Sequence, residues 1–95
     1  MRITDIVWKE RIVEKITGKH GVSIAEAEEA LLFNPVVRKV AKGHVRGEDV
    51  YAALARIESG RYLVIFFIHK KPCMALPISA RDMDHRERMY YEKHK

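Results

Sequence analysis

Tyr62-Leu63-Val64-Ile65-Phe66-Phe67-Ile68 is an uninterrupted apolar run, bounded by Glu58-Ser59-Gly60 on one side and by Lys70-Lys71-Pro72 on the other. Such a run is too short for a membrane span and is closed off by turn residues. It reads as a central strand buried on both faces, with Phe66 in the core. Upstream, Val50 to Ile57 is rich in β-formers and alanine, and the short Gly-containing turn between the two segments predicts a β-hairpin. Downstream, Cys73 to Ser79 supplies another strand. Pro77 cannot donate to a ladder, so that strand is expected to be irregular or at an edge. Val36, Val37 and Val40 suggest a further short strand, and Lys42 to Asp49 forms a polar, glycine-containing loop of the kind that often carries function.

Helical signals flank this block. Trp8, Ile12, Val13 and Ile16 recur at helical spacing, and Gly18 and Gly21 supply residues suited to ending a helix of two to three turns. Ser23-Ile24-Ala25-Glu26 is a capping-box pattern that opens a second helix running to Phe33, where Asn34-Pro35 stops it. Asp84-His85-Arg86-Glu87 repeats the pattern with Asp as the cap and opens a basic C-terminal helix. Arg2 to Trp8 could add a short edge strand. The expected class is α+β: two N-terminal helices, an antiparallel sheet of three to four strands and a C-terminal helix, forming one domain over residues 1–95.

Composition narrows the function classes. The chain is 47% hydrophobic and 33% charged, an ordinary globular balance, and at 95 residues it holds one modest core. Lys and Arg outnumber Asp and Glu by 18 to 13, a net charge of +5, which favours a polyanionic partner. The one cysteine, Cys73, has no partner for a disulfide or a metal site, so a reducing, cytoplasmic location is expected. Met1 to Trp8 lacks a basic region followed by a long apolar stretch, and no segment approaches the ~20 apolar residues of a membrane helix. Scattered histidines without Cys-x-x-Cys disfavour zinc. Phosphate-loop, dinucleotide and nucleophile-elbow motifs are absent, which removes several enzyme classes.

Trp8, Lys19-His20-Gly21-Val22-Ser23 ahead of a capped helix, Asn34-Pro35, Gly47-Glu48, and Ile78-Ser79-Ala80-Arg81 before a helix with Glu87 and Tyr91 form an ordered set covering nearly the whole chain. In this order the motifs resemble the BrnT-like toxin family of type II toxin-antitoxin systems. The resemblance implies a RelE-like fold, a ribonuclease activity that arrests growth, and a cognate antitoxin with a ribbon-helix-helix or similar DNA-binding domain. It leaves open a homo-oligomer or a toxin-antitoxin heteromer. Ile12, Ile16 and Val50 depart from the family pattern, replacing a Lys, an Asn and an Arg with apolar residues. These departures put part of the typical active surface in doubt. A non-catalytic RNA-binding or partner-binding module on the same fold is the competing reading.

RNA cleavage without a metal or cofactor needs a base for the 2′-hydroxyl, cations for the phosphate and an acid for the leaving oxygen. His44 and Glu48, four apart in the polar loop, are candidates for proton exchange; a solvated His44 and an ion-paired Glu48 are the bland alternative. Arg81, before the C-terminal helix, is the strongest candidate for gripping phosphate, against a structural pair with Asp84 or Glu87. Lys19, Arg56 and Arg88 are further phosphate candidates, and Tyr91 or Tyr90 could stack on a base. His20 reads as a helix-end hydrogen bonder. Glu87 and Tyr91 share a helical face, whereas Arg88 and Glu92 read as a solvated surface pair.

Overall fold

The computed structural model describes residues 1–43 and 47–95. Along the chain run β1 (Asp5–Ile6), α1 (Glu10–Glu14), a π-helical turn (Lys15–Lys19), α2 (Ile24–Leu32), β2 (Val36–Ala41), β3 (Val50–Arg56), β4 (Tyr62–Lys70), β5 (Met74–Asp82) and α3 (His85–His94). The class is α+β. The sheet has five strands in the order β1-β5-β4-β3-β2, rather than three or four. It is also mixed, because β1 runs parallel to β5 through only two register pairs, Asp5 with Met74 and Ile6 with Ala75. β1 is the short edge strand expected within Arg2 to Trp8; its parallel direction is what so brief a pairing leaves unreadable in the sequence.

The apolar run does form the central strand. Alternation along β4 sends Leu63, Ile65 and Phe67 to the face covered by α1 and α2, where they join Ile12, Ile16, Ala27, Ala30 and Leu31. Val64 and Phe66 go to the opposite face with Ala52, Leu54 and Met83, beneath α3. Phe67 is fully buried, whereas Phe66 is only half-buried. The expectation for Phe66 is therefore corrected. Both faces of the strand are covered, but unequally: α2 contributes three buried residues to its side, while α3 has none.

Ile12 and Ile16 are 8% and 0% exposed. These positions are core in this chain, so their apolar side chains do not remove polar groups from its surface. Pro77 is irregular as expected, but β5 is not an edge strand. The register jumps from Phe66–Ser79 to Phe67–Pro77, leaving Ile78 as the extra residue of a bulge. Its carbonyl accepts a hydrogen bond from Lys15 Nζ at 2.5 Å. Pro77 lies beyond the two β5 residues that β1 pairs.

The helix starts follow the sequence closely. Ser23 Oγ accepts from the Glu26 amide at 3.1 Å while Glu26 Oε1 accepts from the Ser23 amide at 3.0 Å. Glu26 Oε1 also takes Arg61 Nη1 at 3.1 Å, and Arg61 Nε reaches Asp82 Oδ1 at 2.6 Å. Arg61 further donates to the carbonyls of Gly21 and His20, which ties the loop before α2 to the sheet. Hydrogen bonds from Arg61 hold Asp82 below the usual carboxylate range. The Ser23 backbone, and then Arg61, do the same for Glu26.

Phe67→Ala should lower unfolding free energy by about 3–5 kcal/mol, the range for a large aromatic removed from a core. Phe66→Ala should cost only about 1–2 kcal/mol; denaturant titration separates the two. Because both carboxylates are depressed, Arg61 contributes stability above the ordinary carboxylate range, and that contribution disappears as pH falls through the lower folded values. Arg61→Met should accordingly lose about 1–2 kcal/mol at neutral pH. Its deficit should shrink as pH falls through the depressed folded values of Asp82 and Glu26, leaving the part due to the Gly21 and His20 carbonyls, as melting curves across pH would show.

Candidate nucleic-acid interface

Strand alternation decides which side chains reach the α3 face. In β2 these are Val36, Arg38 and Val40, and in β3 they are Ala52, Leu54 and Arg56. In β4 they are Tyr62, Val64 and Phe66, and in β5 Arg81 lies opposite Val64. Ala52, Leu54, Val64 and Phe66 make an apolar floor. Above it, Arg38, Arg86, Tyr90, Asp84 and Glu87 complete a groove of about 460 Å³ between β2 and α3.

A polar helix holds to this floor through its side chains. Asp84 caps α3 by accepting from the Glu87 amide at 2.8 Å, and Glu87 Oε1 accepts from the Asp84 amide at 2.8 Å. The same Glu87 carboxylate receives both terminal nitrogens of Arg81, at 2.7 and 3.0 Å. Arg81 also lies 5.2 Å from the Phe66 ring centroid. Its hydrogen bonds to Glu87 raise the guanidinium's affinity for its proton. Of the two carboxylates considered as structural partners, Glu87 is the one that pairs.

Guanidinium groups stand over aromatic rings across this face. Arg38 lies 4.5 Å from the Tyr90 centroid, and Arg88 and Arg56 lie 4.0 and 5.2 Å from that of Tyr62. Tyr91 meets Tyr62 edge-on at 6.1 Å, and the Tyr62 hydroxyl donates to Glu92 at 3.0 Å. Arg88 and Glu92 are both solvent-exposed, as expected, but they do not pair with each other: Glu92 pairs with Lys95, and Arg88 and Glu92 both engage Tyr62, whose position under α3 the helix sequence alone does not disclose. Arginines stacked on aromatics, with faces and edges partly open, suit bases and phosphates together.

The structure thus brings Arg56, Arg88 and Tyr91 together around Tyr62, with Arg81 on the same sheet face. Lys19 ends the π-helical turn, which belongs to the layer on the other face. Glu48 pairs with Lys70 at 3.1 Å. Lys70 is eight positions along β4 from Tyr62, roughly 26 Å at about 3.3 Å per residue, so Glu48 is not part of the arginine cluster. His44 lies outside the described residues. Val50 sits on β3 opposite Ile68, toward the Glu48 end.

Arg38 and Tyr62 emerge only from the structure. The alternation in Val36-Val37-Arg38-Lys39-Val40 places Arg38 with the half-buried Val36, but strand order is needed to know what that face looks at. Among the described residues, no three His, Cys, Asp or Glu side chains gather as a metal site, and no helix is long and apolar enough to cross a membrane.

A family model described as the ribonuclease toxin BrnT of type II toxin-antitoxin systems matches residues 8–87. No curated protein matches the chain.

Glu87→Gln removes the anion facing Arg81 while keeping an oxygen for the helix cap. Binding to a labelled single-stranded RNA, followed by anisotropy, should tighten about three- to tenfold, equivalent to ~1 kcal/mol. Weaker binding would show that the pair itself is what RNA requires.

Proposed function

The chain belongs to the BrnT family of ribonuclease toxins of type II toxin-antitoxin systems, and on that premise we propose that it cleaves RNA held across the α3 face of its sheet. In this reading the RNA's own 2′-hydroxyl attacks the neighbouring phosphorus, so the protein needs to move protons and stabilise charge without a metal. The observation that carries it is the row of arginines on aromatic rings, Arg38 on Tyr90 and both Arg56 and Arg88 on Tyr62, flanking the groove.

Arg81 then exchanges Glu87 for a phosphate, which offers its guanidinium the same two-pronged partner geometry. A base stacks at Tyr91, whose only aromatic contact among the described residues is edge-on with Tyr62, and Arg56 and Arg88 neutralise the adjoining backbone. Lys19 adds to the basic surface on the other side of the molecule. Glu48, at the far end of β4 beside Lys70, is a candidate for proton exchange, as is His44, which lies outside the described residues. Cleavage in the cytoplasm would arrest growth until a cognate antitoxin, carrying a DNA-binding domain, covers the toxin. Binding without cleavage is the second reading, favoured by one observation: Arg81 is already satisfied by Glu87.

A metal-free cleavage assay on labelled RNA, run beside thermal melts, tests the proposal. Arg81→Ala should cut cleavage by about 100-fold or more, and lower the melting temperature by about 4–8 °C through loss of the Glu87 pair, if that pair is worth ~1 kcal/mol. Arg81→Lys should recover activity only in part, because an ammonium keeps the charge but not the fork. A destabilised variant that still cleaves RNA at the original rate would remove Arg81 from the site. RNA bound but left intact by the unaltered protein would favour the second reading.

A further inference from the structure

α2 ends in an apolar surface with an acidic rim that RNA binding does not use. We propose that this surface, centred on Phe33, is where the cognate antitoxin docks, through a segment carrying Lys or Arg beside bulky apolar side chains. The inference deepens the antitoxin part of the reading above and is independent of where RNA lies.

Phe33 is 71% exposed, the most of any large apolar side chain among the described residues, and Leu32 beside it is 42% exposed. The same helix buries Ala27, Ala30 and Leu31, so these two are not its core face. The backbone fixes their display. The Phe33 amide closes the helix by donating to the Glu29 carbonyl at 3.1 Å. Asn34 follows in the left-handed region at φ +58°, which Asn tolerates, and Pro35 restricts the next residue. Phe33 therefore projects from a set corner, where an aromatic ring can anchor an interface at small entropic cost.

Hollows lie on both sides of this pair. One, of about 570 Å³, is lined by Ala25, Glu28, Glu29, Leu32, Phe33 and Glu58. The other, of about 360 Å³, extends from Leu31 and Leu32 to Met1, Ile3 and Pro35. Adjacent apolar side chains between two hollows form a patch rather than scattered exposure, and a partner can interdigitate with them.

Charge selects the occupant. The chain carries a net +5, yet the larger hollow is lined by three carboxylates and by no Lys or Arg. Glu28 Oε2 accepts from Trp8 Nε1 at 3.0 Å and Glu29 Oε2 from the Glu58 amide at 2.6 Å. Both donors are neutral, so the negative charge stays in place. None of the three carboxylates forms an ion pair among the described residues. The last turn of α2 also holds no basic residue to offset the negative end of its dipole. RNA is repelled by such a surface, and a second copy offering the same patch would set like charges against each other. A cationic, apolar segment satisfies both the hollows and the carboxylates. A type II system supplies a partner, the antitoxin. Because α2 packs on the sheet face opposite α3, an antitoxin anchored here reaches the arginine groove only with a separate part of its chain.

The test recombines the full chain with the antitoxin encoded beside it, separated after co-expression, and follows binding by titration calorimetry at low and high salt. Phe33→Ser should weaken binding about 10- to 100-fold, with melting temperature and RNA affinity matching the unaltered chain. Glu58→Lys should weaken it about fivefold or more and flatten its salt dependence. Unchanged antitoxin affinity in both variants would overturn the proposal, and a loss confined to Phe33→Ser would overturn the cationic segment. A dimer of the free chain that Phe33→Ser dissolves, seen by light scattering, would make a second copy the occupant and overturn it too. Failure of the unaltered chain to bind the antitoxin would also overturn the antitoxin part of the reading above, whereas failure to cut RNA would leave this assignment standing.

Discussion

β4 must be covered on both of its faces, and this constraint organises the molecule. The strand alternates between Leu63, Ile65 and Phe67 on one side and Val64 and Phe66 on the other, so no single layer of helices can satisfy it. The first side receives α1 and α2, whose own apolar residues close a continuous core. The second receives only α3, a strongly polar helix with no buried residue. A helix of that composition cannot be held by hydrophobic burial alone. It is held instead by an arginine-carboxylate fork and by guanidinium groups on aromatic rings.

That substitution links stability to binding. The groups that seat α3, namely Arg38, Arg81, Arg88, Tyr62 and Tyr90, are also those best suited to phosphates and bases. Glu87 stands at the junction, capping α3 through the Asp84 amide while accepting both terminal nitrogens of Arg81. An incoming phosphate and this carboxylate present Arg81 with the same chemistry. On the proposed reading, RNA binding on this face competes with an internal interaction, and its affinity measures the difference between the two.

The core was legible where periodicity or capping speaks locally: the β4 run, the Ser23 and Asp84 capping boxes and the hairpin around Gly60 all lie where the sequence places them. What the sequence hides is long-range. Phe66 and Phe67 are equivalent in an apolar run, and only the unequal cover of the two faces makes Phe67 the buried one. β1 is where an edge strand is expected, but it pairs too briefly for its parallel direction to leave a pattern. Arg61 reads as one basic residue among many, yet it joins Glu26 and Asp82 across the chain. Within the candidate site, Arg56, Arg88 and Tyr91 are individually visible as types. Tyr62, which gathers them, is hidden inside the strand that defines the core. Glu48 lies near the same loop as His44 in sequence, but its Lys70 partner puts it at the sheet end opposite the arginine cluster.

The central claim is that RNA lies on the α3 face, between β2 and α3. Photo-crosslinking with 4-thiouridine RNA, followed by mass spectrometry of the attached peptides, tests it most directly. The account predicts crosslinks concentrated on peptides that contain Arg38, Tyr62 and Tyr90. Crosslinks confined to α1, α2 and the turn ending at Lys19 would place RNA on the opposite side and contradict it.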